Sequence, residues 1–128
     1  DLICAQPPVK RNIQLAQSAT IAFIGIGELT EAPPLLTDGF ITEQELLALQ
    51  AEGAAGEVIG WAFDDEGLPL QMPHNDRVAS VPLSQPPAMP TIGVARGPNK
   101  LRAIRAALKG RWLSGLITDE FTAEALVK

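Results

Sequence analysis

Chemistry in this chain is best supplied at Gly97-Pro98-Asn99-Lys100. An apolar run at 92–95 leads into it, and a helical pattern with Leu101, Ile104 and Leu108 on one face follows it. Gly97 suits an N-cap and Pro98 a first helical position, where no N–H is missed. The N–H groups of residues 99–101 then have no carbonyl one turn back. Together with the helix dipole and the Lys100 ammonium they suit a phosphate or carboxylate. The plainer alternative makes Gly97-Pro98 punctuation and Lys100 a solvated side chain, because a cation in a first turn is slightly unfavourable without an anion.

Other candidates are weaker. Gly25-Ile26-Gly27 follows an apolar run, but Thr30 stands where a dinucleotide fingerprint needs its third glycine. It reads as a tight strand exit, or as a backbone-lined ligand wall with Glu28 beside it. Glu57 precedes a strand-like run and reads either as an acceptor for sugar hydroxyls or as a surface charge. Asp64-Asp65-Glu66-Gly67 has hairpin-turn spacing rather than that of a calcium loop. His74-Asn75-Asp76-Arg77 has no nucleophile motif near it and reads as a cluster that orders a loop. Arg102, Arg105, Lys109 and Arg111 read as a solvated basic helix side, or as a face for the acidic surface of another subunit. No metal, cofactor or catalytic residue is expected.

The elements that must position these residues follow from punctuation and periodicity. Residues 1–9 end in Pro7-Pro8 and read as an irregular lead-in. A short helix is expected over 10–18, with Ile13 and Ala16–Gln17 on one side. Residues 21–24 (Ile-Ala-Phe-Ile) read as a buried, parallel strand. Thr42-Glu43-Gln44-Glu45 is a capping box, and Gly53 a fitting stop, so a helix is expected over 43–52. Residues 58–63 read as one strand, 64–67 as its turn and 68–72 as a return strand. The proline-rich stretch 82–90 reads as a loop. After the strand at 92–95 and the helix that Gly110 ends, Leu116–Ile117 read as another strand. Thr118 or Asp119 then caps a last helix with Phe121, Ala125 and Leu126 inward. Strands alternating with helices imply an α/β fold with an open, mostly parallel sheet.

Composition sets the bounds. A chain of 128 residues, 46% hydrophobic and 20% charged, has the size and balance of one globular domain. A net charge of −5 argues against an extended nucleic-acid surface. One cysteine, Cys4, excludes an internal disulfide, and one histidine excludes a histidine metal cluster. No apolar stretch is long enough to span a membrane, and no signal peptide is visible. A cytoplasmic protein is expected. The absence of an initiator methionine reads as a fragment or a processed piece.

Several motifs together carry a resemblance. They are Ile24-Gly25-Ile26-Gly27; Asp38-Gly39-Phe40-Ile41-Thr42 with Glu45-Leu46; and Gly53-Ala54-Ala55-Gly56-Glu57-Val58-Ile59-Gly60 with Phe63-Asp64 and Gly67. Asn75-Asp76-Arg77-Val78, Val94-Ala95 with Gly97, Lys100 and Ala103-Ile104, and Leu116-Ile117-Thr118-Asp119-Glu120 with Thr122-Ala123 continue the series. Their order resembles the sugar-binding effector domain of SorC/DeoR-type bacterial transcriptional regulators over nearly the whole chain.

The resemblance implies a Rossmann-like fold related to glucosamine-6-phosphate deaminase and ribose-5-phosphate isomerase. It implies binding, not turnover, of a phosphorylated sugar or sugar-like effector. It places the phosphate-side lysine at Lys100, the sugar-hydroxyl carboxylate at Glu57, a further ligand contact at Ile59, and the Gly-x-Gly turn at Gly25 and Gly27. Gly97 and Asn99 complete the expected effector site. Where the family has Gly-Gly before the lysine helix this chain has Arg96-Gly97, so Arg96 either adds a cation or crowds the pocket. Residues 1–128 match the C-terminal part of that effector domain. A homo-oligomer is implied, with operator DNA bound through an N-terminal helix-turn-helix domain that is not in this chain. Two rivals stand beside this reading. One is a sugar-phosphate isomerase or deaminase with Glu57, Asp64 or His74 as base. The other is an oligomerisation module that takes no ligand.

Overall fold

The computed structural model describes residues 2–128. It contains helices α1 (Pro7–Gln17), α2 (Pro34–Thr37), α3 (Glu43–Ala51), α4 (Pro73–Asp76), α5 (Leu101–Lys109) and α6 (Glu120–Val127). The strands are β1 (Ala22–Gly25), β2 (Gly56–Val58), β3 (Trp61–Phe63), β4 (Thr91–Val94) and β5 (Gly115–Ile117). Strands β1, β4 and β5 form a parallel sheet in the order β1-β4-β5, the α/β architecture that the alternation of elements implied.

Local chemistry explains most boundaries. In α3 the Thr42 hydroxyl accepts from Glu45 N while the Glu45 carboxylate accepts from Thr42 N, so the capping box closes as expected. Asp119, rather than Thr118, caps α6 by accepting from Thr122 N at 2.8 Å. Helix α1 starts earlier than expected because Pro7 and Pro8 take its first positions, where their missing N–H costs nothing.

Four expectations are corrected. Residues 58–63 are not one strand. Ile59 and Gly60 both have positive φ (42° and 94°), so the chain reverses there and β2 pairs antiparallel with β3. Strand β1 is not buried on both faces: Ile24 is buried, but Phe23 is 62% exposed. Val94 pairs in register with Ile117, Phe23 lies opposite Ile92, and all three of Phe23, Val94 and Ile117 are exposed. Phe121 points outward, and Thr122 takes its place inside to meet Gly97. Helix α5 buries Ala103, Ile104, Ala106 and Ala107, whereas Leu108 is exposed. The approach to β2 is close at Ala103: a Cβ on Gly56 would lie 2.5 Å from the Ala103 Cβ, so only small residues fit at that crossing.

Two apolar clusters hold the elements. One joins Ile24 and Ile26 to Val58, Phe63, Ile104 and Trp112. The other gathers Leu29, Ile41, Leu46, Leu49, Ala62 and Leu70 around α3. An isolated bridge between Gly27 and Glu57 ties the exit of β1 to the hairpin.

Candidate functional site

The site grows from that bridge. Gly27 N donates to Glu57 O at 2.9 Å, and Glu57 N donates to Gly27 O at 3.0 Å. The Glu57 side chain lies against Gly27, where a Cβ would sit 2.0 Å from Oε1. Glycine is required there to make room for the carboxylate, not to bend the chain.

The hairpin turn is held by side chains. Glu57 Oε2 accepts from Gly60 N at 2.7 Å. His74 Nε2 donates to Gly60 O at 2.8 Å, which fixes the proton on that nitrogen because a carbonyl can only accept. Ser80 Oγ donates to Ile59 O at 2.7 Å. A β-branched residue in the left-handed region costs about 1–2 kcal/mol, and these three bonds offset it. His74 is itself placed by α4. The buried Asn75 beside it accepts from Ala62 N and donates to Ala62 O and Leu70 O.

Lys100 approaches from the other side. Its Nζ donates to Ile26 O at 2.7 Å. It is half-buried beside Glu57 rather than extended into bulk water. Burial pushes the Glu57 carboxyl above its usual value, while the Gly60 N–H, Lys100 and His74 pull it back.

These groups surround a cavity of about 750 Å³. Gly25, Gly27, Glu57, Ile59 and Lys100 all line it, so the structure brings five of the seven expected site residues to one place. Gly97 and Asn99 stand outside the lining. The segment Pro98–Lys100 is a 3₁₀ turn, and it uses two of the three expected N–H groups, those of Lys100 and Leu101, within the turn. Lys100 N bonds to Gly97 O, Leu101 N bonds to Pro98 O, and Gly97 N donates to Thr122 Oγ1. Arg96 neither joins the site nor crowds it, because it is exposed and pairs with Asp119 at 3.5 Å.

Other charged groups have local work. Asp64 Oδ1 accepts from Glu66 N and Leu68 N and so closes its turn. Asp65 and Glu66 pair with Arg102 and Lys109, so two of the basic residues on α5 meet an acidic turn of the same chain. The sequence offered His74 only as a base for the enzyme rival, and it gave no role at a ligand to Gly60, Arg77 and Ser80 or to the apolar wall of Leu35 and Phe40. The available signal was Gly60 and the run Asn75-Asp76-Arg77-Val78 within the family motifs.

An α/β fold whose ligand-sized cavity sits at the carboxyl end of a parallel strand, lined by apolar walls and a few convergent charges, defines a small-molecule-binding domain. A family model described as "Putative sugar-binding domain" matches residues 1–128. The chain belongs to that sugar-binding domain family, which the SorC-type transcriptional regulators share. It is 35% identical over 122 residues to the transcriptional regulator LsrR of Klebsiella pneumoniae, covering 91% of this chain and 38% of the relative. It is 32% identical over 127 residues to the erythritol catabolism regulatory protein EryD of Brucella abortus, covering 99% of this chain and 40% of the relative. The crystal structure of the full-length sorbitol operon regulator SorC from Klebsiella pneumoniae superposes with a TM-score of 0.88 at 27% identity. That match covers 98% of this chain and 41% of SorC. The chain thus spans about two-fifths of the length of these relatives.

Proposed function

We propose that this chain is effector-binding sequence of a DNA-binding transcriptional regulator and that its cavity takes a phosphorylated sugar or polyol. One observation carries the reading: Lys100, Glu57 and the Gly25–Gly27 backbone converge on a single cavity of about 750 Å³. Lys100 supplies charge for the phosphate. Glu57 accepts from sugar hydroxyls through Oε1, since Oε2 is engaged by Gly60. Ile59 and Gly25 form wall. The names of EryD and SorC, which refer to erythritol and sorbitol, support a polyhydroxylated ligand. Operator DNA is contacted through another domain of a longer protein, consistent with the acidic charge of this chain, and the protein works as a homo-oligomer.

Binding without turnover fits the geometry better than the isomerase or deaminase rival. A general base must face the reacting carbon. His74 Nε2 is committed to a backbone carbonyl and Asp64 to its own turn, which leaves Glu57 alone. The test is a thermal-shift panel of D-sorbitol 6-phosphate, erythritol 4-phosphate, ribose 5-phosphate and fructose 6-phosphate beside their dephosphorylated forms. For a probe that binds, Lys100→Ala should cost the phosphorylated member about tenfold in affinity, the worth of a charged hydrogen bond. Equal losses for both members would contradict the role given to Lys100. Ammonia release or isomerisation would move the reading to the enzyme.

A further inference from the structure

We infer that Arg77 is a second anion-holding residue of this cavity, poised by Glu45 to grip the charged end of the ligand. The inference rests on the binding reading above and deepens it. Arg77 lines the cavity from the end of α4, an element separate from the one that brings Lys100. The place of α4 is fixed by the three bonds of the buried Asn75, so Arg77 starts from rigid backbone.

Its donors are unevenly used. Arg77 Nη2 pairs with Glu45 Oε1, while Nε and Nη1 have no hydrogen-bond partner among the described residues. Guanidinium donors form a rigid fork that matches two oxygens of a phosphate or carboxylate. Glu45 is not part of the lining, so it holds the guanidinium from outside the cavity. It is also well placed to stay charged. The Thr42 N–H and then Arg77 hold its carboxyl down to about 2, so the pair persists across the working pH range.

The charge arrangement favours Arg77 over Lys100 as the less committed cation. Lys100 already donates to Ile26 O and faces Glu57, the one carboxylate in the lining. Lys100 therefore has fewer donors left for the phosphate, while Glu57 takes a neighbouring hydroxyl. Arg77 retains open donors for the anionic substituent. The ligand class that follows is a polyhydroxylated molecule with a hydroxyl at Glu57 and a phosphate or carboxylate shared between Lys100 and Arg77.

Calorimetric titration of the same four sugar phosphates and their dephosphorylated forms tests the inference on wild type, Arg77→Gln and Arg77→Lys. For the tightest probe, Arg77→Gln should weaken the phosphorylated form by roughly tenfold or more and the other form by less than about twofold. Arg77→Lys, which keeps charge but loses the fork, should recover only part of the loss. Thermal unfolding of both variants checks that they fold. Should Arg77→Gln fold and bind the phosphorylated probe as wild type does, the inference falls and the binding reading stands. If wild type binds none of the eight compounds, the binding reading falls and takes the inference with it.

Discussion

Gly27→Ala separates the presentation of Glu57 from the stability of the fold. A Cβ at position 27 would stand 2.0 Å from Glu57 Oε1, 2.7 Å from Cδ and 2.9 Å from Cγ. Non-bonded heavy atoms settle near about 3.5 Å, so the carboxylate must withdraw by roughly 1 Å or more. The atoms struck belong to the free end of a side chain, so the backbone ladder between Gly27 and Glu57 can stay. Withdrawal breaks the bond from Gly60 N and takes the acceptor away from the ligand. A hydrogen bond to a charged group is worth about 1.5–3 kcal/mol, roughly ten- to a hundredfold in affinity. Gly56→Ala is the control. There the new methyl meets the Ala103 Cβ at 2.5 Å and Gly27 O at 2.8 Å, parts of a helix and a backbone that cannot swing aside. Such overpacking costs about 1–3 kcal/mol of stability. Urea unfolding and calorimetric titration with the tightest sugar phosphate should show Gly27→Ala losing mainly affinity and Gly56→Ala mainly stability. Unchanged affinity in Gly27→Ala, or a Gly27→Ala that unfolds more readily than Gly56→Ala, would refute the reasoning.

Glu57→Gln should be at least as stable as wild type at neutral pH while binding hydroxylated probes more weakly. Burial raises the folded carboxyl above its unfolded value, so its charge opposes folding at high pH and that penalty vanishes below about 4.5. Melting temperatures of the two proteins should therefore converge as pH falls, and divergence there would be contrary. Glu45 has the opposite sign. Its carboxyl is lowered from 4.5 to about 2, so its contribution is complete above 4.5 and is lost as pH falls toward 2. Glu45→Gln should flatten the melting profile in that window, and an unaltered acid limb would count against it. Asn75→Ala should cost about 3 kcal/mol, since it removes the side-chain partner of Ala62 N and Leu70 O and one of the two donors to Ala62 O. A urea midpoint close to wild type would show that α4 is placed by something else.

Elements built on local chemistry were legible. The capping box at Thr42, Gly53 as its stop, the Asp119 cap and the β4–α5–β5 unit all follow from residues within one turn of each other. The hairpin was not legible. Two-residue turns with positive φ advertise themselves by Asn-Gly or Asp-Gly, whereas Ile59 looks like the middle of a strand. The one local bond, from Gly60 N to Glu57 Oε2, is not announced by any turn motif. The other two bonds that hold it come from His74 and Ser80, which lie 14 and 21 residues downstream of their acceptors. The amide cradle at 99–101 was not legible for a related reason, since the choice between a 3₁₀ and an α turn decides which of those N–H groups remain open. Lys100 was legible as a charged group near a strand end, but its bond to Ile26 O spans 74 residues of sequence.

The failure at Ile59 and the candidate site coincide for a physical reason. A left-handed isoleucine and a half-buried carboxylate each work against folding. Asparagine at 59 or glutamine at 57 would relieve the cost while leaving the hairpin in place. The protein instead commits Gly60 N–H, His74 and Ser80 to holding them. The result is a carboxylate with Oε2 anchored on Gly60 N and Oε1 against Gly27, at the cavity that Lys100 also lines. A site arranged in advance loses less entropy on binding than one that must be assembled. Asparagine at position 59 therefore makes a discriminating substitution: it should relax the backbone and raise stability, yet leave the ligand contact on the wall weaker.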